Sequence, residues 1–225
     1  VPTASIISVL NLLSGLVALL ISYYAYKNNR LVGSILLKYI SVGFLLLGIS
    51  LLMQAGTETI IGITAIQALK VRGIELVGFL VYTALELLAY AVFAWGYGLS
   101  AFSRARAPAA TTALPAVLAT AASALTRKLL DLIVLILAVY VASQVGIVVL
   151  LFVIVFQGVR VFSQSHSNLA LMVLFGFALI FIGHLLMLGA VLALDSTVFL
   201  VGNTIEFCGF VGLLFFLIWS GRVVR

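Results

Sequence analysis

A chain of 225 residues that is 65% hydrophobic and 8% charged cannot hide its apolar side chains in one water-soluble core, so it reads as an integral membrane protein. Its net charge of +6 comes from basic residues standing singly or in pairs at the ends of apolar runs, where lipid headgroups and topology account for them; nucleic acid is not expected as a partner. The single cysteine, Cys208, excludes an intrachain disulfide and argues against a thiolate-ligated metal centre.

Six continuous apolar runs are long enough to cross roughly 30 Å of hydrocarbon as helices, at about 5–26, 39–55, 77–102, 129–156, 169–191 and 197–219. The absence of period-two alternation argues against a barrel. The first run has no basic residue before it and no small-residue cleavage site after it, so it is expected to be a span and not a signal peptide. It carries Asn11, a small-residue stripe of Ser14, Ala18 and Ser22, and then Tyr23, Tyr24 and Tyr26 ahead of Lys27 and Arg30. Beyond the second run, Ile60, Ile63, Ile66 and Leu69 recur every third residue between Thr57–Glu58 and Lys70, which predicts a short helix in the interface. The third run reads Phe79-Leu80-Val81 followed by Glu86, with Tyr82 and Tyr90 one turn either side on the carboxylate's own face, where they could donate hydrogen bonds to it. Trp95 and Tyr97 belong with the tyrosines of the first run and Trp219 in an aromatic belt.

A linker of about 104–128 follows, Ala/Thr-rich with Pro108 and Pro115. The fourth run has Gln144 and a second small-residue stripe, Ala138, Ala142 and Gly146, expected like the first to let helices pack closely. The fifth has His184. The sixth reads Phe199-Leu200-Val201 followed by Glu206, with Asn203 one turn before the carboxylate.

The two Phe-Leu-Val-x-x-x-x-Glu stretches point to internal duplication. An offset of 133 aligns Asn11 with Gln144, Lys27 with Arg160, Ser34 with Ser167, and Gly43-Phe44 with Gly176-Phe177, and an offset of 120 aligns Glu86 with Glu206. The change of offset falls at 57–70. The expected fold is an all-α integral membrane protein with a duplicated three-helix repeat, 1–103 and 129–225. Three crossings per repeat invert the second copy unless the linker also crosses. Lys27, Arg30, Arg104 and Arg106 in the first half, and Arg160, Arg222 and Arg225 in the second, follow equivalent helices, so the positive-inside rule favours a 3+1+3 plan over an inverted 3+3. It also places the N-terminus outside and the C-terminus in the cytoplasm, with the plasma membrane the expected location. The 3+1+3 plan resembles that of SWEET-type sugar transporters in topology alone, because their Pro-Gln pair is absent. Microbial rhodopsins keep a retinal-binding lysine in the last helix, and the sixth run has none.

Charge inside a bilayer is costly, so an intramembrane ionisable residue is a functional candidate. The candidates here are Glu86, Glu206, His184, Asn11, Gln144, Tyr90 and Asn203. Each half supplies one amide and one carboxylate, able to converge at mid-depth between the halves or to hold neighbouring helices together. His184 and Glu206 lie at matching distances from a turn near 192–196, so the two should face each other and could exchange a proton; the aligned first-half position is Ser50 or Leu51.

Catalysis is not expected. The chain has no Gly-x-Ser-x-Gly elbow, His-Glu-x-x-His pair or phosphate-binding glycine loop, and His166 and His184, within one helix, stand about 27 Å apart, too far to ligate one haem. No cofactor or metal is called for. The expected function is secondary transport or ion or proton conduction through a polar site between the halves. The alternative is a non-transporting subunit, scaffold or sensor component of a larger membrane complex. Expected partners are the lipid bilayer, a small solute or proton, and further copies or other membrane subunits.

Overall fold

A computed structural model describes residues 2–64, 71–102, 129–166, 168–193 and 195–223, all helical apart from short connections and without strands among them. The helices are α1 (Pro2–Val32), α2 (Ile35–Thr64), α3 (Val71–Phe102), α4 (Leu129–Ser165), α5 (Asn168–Ala193) and α6 (Ser196–Val223). All 6 contain a stretch long and apolar enough to cross a membrane, so the chain is a multi-pass all-α membrane protein. Helices run past the predicted ends of their apolar runs because nothing breaks them there. α1 continues through Lys27 and Arg30 until Gly33, whose φ of 65° and bond from its N–H to Asn29 O end the helix.

The interfacial helix expected at 57–70 is not separate over its first part: α2 continues unbroken to Thr64, and 65–70 lie outside the described residues. So does the whole linker, 104–128, and with it the expected additional crossing.

Each helix packs on its sequence neighbour and α6 returns to α1, closing a ring of six. Contact order gives the directions. Ser8, Gly15 and Ser22 of α1 meet Ala55, Gly48 and Ser41 of α2 in reverse order, so these two are antiparallel. Gly176 and Gly183 of α5 meet Gly209 and Gly202 of α6 in the same reversed way. Between α3 and α4 the order is direct: Phe79 lies against Tyr140, Leu87 against Gly146 and Gly98 against Gln157, so the helices run parallel. Phe102 and Leu129 therefore lie at opposite ends of the ring. Across the other seam Asn11 lies near Asn203 and Asn28 donates to Leu217 O, so α1 and α6 are parallel as well. Hence α1, α3, α4 and α6 share one direction and α2 and α5 the other.

Positions paired by the two offsets share the inward face. Asn11, Ala18 and Ile21 are buried, as are Gln144, Leu151 and Ile154; Glu86, Tyr90 and Phe93 are buried, as are Glu206, Phe210 and Leu213. Gly43 packs under the Phe93 ring and Gly176 under Leu213. The same offset pairs the two positive-φ residues that end α1 and α4, Gly33 and His166.

Below the polar level the ring is filled by aromatic side chains. Phe44 lies with its ring 4.8 Å from Phe93 and 6.1 Å from both Phe177 and Phe210, joining helices from opposite sides. Tyr97, expected in the interfacial belt, instead packs edge-on against Phe177 in this core, whereas Tyr23, Tyr26, Trp95 and Trp219 are exposed. The α4 small-residue stripe also differs from expectation. Ala138 and Ala142 are exposed, because Ser143, Gln144 and Ile147 take the inward face. On α1 the stripe does pack, and Ser22 and Ser41 exchange hydroxyl-to-carbonyl bonds of 2.8 and 3.0 Å.

Candidate functional site

At mid-depth the aromatic filling gives way to a buried polar cluster centred on His184. One glycine-dependent approach lies at its level, where Gly183 and Gly202 bring α5 against α6; Gly43 and Gly96 admit Phe93 and Tyr39 between α2 and α3 further along, in the aromatic part of the ring. Asp195 fixes the start of α6, its carboxylate accepting from the N–H groups of Thr197 at 2.8 Å and Val198 at 3.3 Å. The short connection that it ends sets His184 and Glu206 at equal depth.

His184 is 1% exposed, and both ring nitrogens are engaged. Nδ1 lies 3.0 Å from Gln144 Oε1 on α4, and Nε2 lies 2.9 Å from the Tyr90 hydroxyl on α3. Nε2 is also 3.4 Å from Glu206 Oε1 on α6 and 3.7 Å from Glu86 Oε1 on α3. Three helices thus converge on an imidazole carried by a fourth. Glu206 Oε1 is buried without a hydrogen-bond partner among the described residues, leaving the nearby Nε2 as the group that can meet its charge.

A small cavity of about 20 Å³, room for one water, adjoins this cluster. Glu86, Gln144, His184 and Glu206 line its deep side, and Asn11, Gln54, Tyr82, Tyr140, Phe199 and Asn203 continue it toward the end of the ring where α1, α3, α4 and α6 begin. Phe199 is within one turn of the start of α6. On the other side of the cluster Phe44, Phe93, Phe177 and Phe210 pack together.

All seven sequence candidates meet at this site, though not always in the expected pairs. Tyr90 bonds His184, and the expected Tyr90-to-Glu86 hydrogen bond gives way because the imidazole stands between α3 and α6 at the hydroxyl's height. Asn203 donates to Phe199 O, 2.9 Å away on its own helix, while facing the cavity. At the offset of 133, Leu51 takes the place of His184, so the imidazole belongs to one half alone. Sequence reasoning missed Gln54 and Tyr140. The signal for Gln54 was its alignment, at the same offset, with Met187, which also lines the cavity. Tyr140 sits one turn before Gln144 and shares its face.

Such a constellation can hold and move a proton. Nε2 can accept from the Tyr90 hydroxyl or, once protonated, donate to either carboxylate, with a water-sized space beside it. Among the described residues no group of three or more His, Cys, Asp or Glu side chains is arranged to hold a metal ion. Comparison of the chain with protein-family models, curated proteins and solved structures gives no match, so the functional reading rests on this geometry.

Proposed function

We propose that this chain is a secondary transporter that couples its cycle to proton binding at Glu86, His184 and Glu206. One observation carries the reading: a single imidazole nitrogen faces two carboxylates and a hydroxyl in the membrane interior, beside a polar cavity. Intramembrane carboxylates and histidines that line a cavity are the usual parts of a proton relay. The aromatic filling beyond the cluster suits a state open on one side only. Exchange to the other side would require Phe44, Phe93, Phe177 and Phe210 to separate, as alternating access demands of a central barrier.

The scaffold reading accompanies it. We take the two triplets as copies of one unit in the same orientation, supported by the paired burial, the paired helix ends and the parallel α3–α4 and α1–α6 seams. Lys27, Arg30 and Arg160 then mark the cytoplasmic side, and the cavity faces outward.

A second reading is favoured by the size of the cavity, which admits a water and no larger solute. On that reading the chain is a proton-responsive subunit of a larger membrane complex, or an assembly of its own copies, and moves nothing across the bilayer. Proton and solute flux in liposomes separates the two, with wild type compared with Glu86→Gln and Glu206→Gln at matched insertion and thermal stability. Flux in wild type that disappears in a folded variant supports transport. Absence of flux across ions and small solutes, together with loss of a co-purifying partner in the variants, supports the subunit.

A further inference from the structure

Gln144 has a more specific task than hydrogen bonding between helices. Its side chain reaches from α4 to the one side of His184 that the carboxylates do not occupy, with Oε1 3.0 Å from Nδ1. Both residues are buried, so an acceptor set against a ring lone pair would leave two polar atoms unsatisfied, at about 1–3 kcal/mol each. The remaining charged and hydroxyl groups around the ring, Tyr90 on α3, Glu86 on α3 and Glu206 on α6, are all on the Nε2 side.

We infer that the Gln144 carboxamide keeps a proton on His184 Nδ1 and so leaves Nε2 as the ring atom that takes up and releases the exchangeable proton. Gln144 is then a positioning residue. With its carbonyl toward the ring it suits both charge states, because Nδ1–H donates to it whether or not Nε2 is protonated. The reversed amide would turn its N–H groups toward Nδ1, which works only while Nδ1 carries no proton, and would place donor against donor in the imidazolium. With Nδ1 fixed as a donor, Nε2 accepts from Tyr90 in the neutral ring. In the charged ring it donates to the oxygens that already surround it, and neither α4 nor α5 has to move. The other half has no such arrangement, since Leu51 stands where the imidazole would be. This inference rests on reading the cluster as the proton site, but it concerns a tautomer that can be read without flux.

The test uses the full chain in lipid nanodiscs with ¹⁵N-labelled histidine and His166→Asn, so that His184 gives the only imidazole signals. Nitrogen NMR, at a pH that leaves the ring neutral, shows which nitrogen bears the hydrogen. The expected result is hydrogen on Nδ1 in this background and in Gln144→Glu, which keeps an acceptor oxygen, and a shift of the hydrogen to Nε2 in Gln144→Leu. Hydrogen on Nε2 with Gln144 in place overturns the inference, as does Gln144→Leu leaving it on Nδ1. Should Gln144→Leu fail to fold, the spectrum with Gln144 in place decides alone. A chain that shows hydrogen on Nδ1 yet moves no proton or solute would remove the transport reading and leave this one standing.

Discussion

Gly183 of α5 and Gly202 of α6 lie back to back, so close that a Cβ on Gly183 would come 2.8 Å from Gly202 O and one on Gly202 would come 2.9 Å from Gly183 O. For Gly183 the nearest obstacle is backbone, which cannot turn aside as a side chain can; for Gly202 the Met187 side chain stands 2.8 Å away in addition. This approach positions the cluster, because His184 follows Gly183 directly and Glu206 stands one turn after Gly202.

Gly183→Ala should therefore push α5 and α6 apart and draw His184 Nε2 away from Glu206. Overpacking of this kind costs about 1–3 kcal/mol. The expected outcome is a lower thermal midpoint together with a loss of proton-coupled flux larger than the stability change explains. Gly189→Ala on the same helix, where an added Cβ meets nothing within 4 Å, is the matched control and should change neither. Equal behaviour of the two variants in a thermal-shift and flux comparison would count against the role given to the close approach.

The two carboxylates are not equivalent, despite their matched places in the alignment. Glu206 Oε1 is nearer the imidazole, at 3.4 Å against 3.7 Å for Glu86, and has no hydrogen-bond partner among the described residues. Glu206→Gln removes the nearer negative charge and titratable group facing a protonated His184, so it should abolish proton coupling; Glu86→Gln should reduce it. Neither change alters side-chain volume much, so both proteins should insert and keep their thermal midpoint within a few degrees. Parallel flux and thermal-shift measurements check the order. Glu86→Gln proving the more damaging would reverse the assignment.

Much of this site could be read before the fold was known, and the reason is solvation. Glu86, Glu206 and His184 are conspicuous because a bilayer penalises ionisable groups, so position along the chain already implied depth, and counting from the α5–α6 turn matched His184 to Glu206. The angular positions of residues were harder to read. Lipid is as apolar as the protein interior, so a spanning helix can be apolar all round, and periodicity does not show which face turns inward. That is why Ala138 and Ala142, a packing stripe by spacing, face outward, and why Tyr97 lies in the core and not in a belt. It is also why Gln54 and Tyr140 were missed, since their inward orientation follows from contacts of α2 and α4 that only the closed ring supplies. Tyr90 was found on the correct face but given the wrong partner, because its bond to His184 joins residues 94 apart in the chain.

His166 offers a prediction that isolates backbone from chemistry. It ends α4 with a φ of 46°, and its N–H bonds Phe162 O at 2.8 Å, just as Gly33 ends α1. A left-handed conformation costs a residue with a Cβ about 1–2 kcal/mol, and glycine escapes that strain while losing some chain entropy on folding. His166→Gly should raise stability by up to about 1 kcal/mol, seen as a higher thermal midpoint in detergent, with flux unchanged because the side chain is exposed and remote from the cluster. A lower midpoint would mean that the edge-on contact of the imidazole with the Phe162 ring, 6.3 Å between centroids, outweighs the backbone strain.

Phe44 joins both halves of the ring beneath the cluster, touching Phe93, Phe177 and Phe210, and it is 1% exposed. Truncation in a packed core costs about 3–5 kcal/mol because the surroundings close only partly over the space left. Here the space would open among Phe93, Phe177 and Phe210 and shorten the dry path between the cavity and the far end of the ring. Phe44→Ala should therefore both destabilise the protein and let protons leak without solute, whereas Phe44→Leu, which refills most of the volume, should be milder on both counts. Proton leak measured with and without a solute gradient distinguishes a breached barrier from simple loss of function. A folded Phe44→Ala that stays proton-tight would show that the barrier does not depend on this ring, and would move the search for the closing element to Phe93 and Phe210 on the parallel helices.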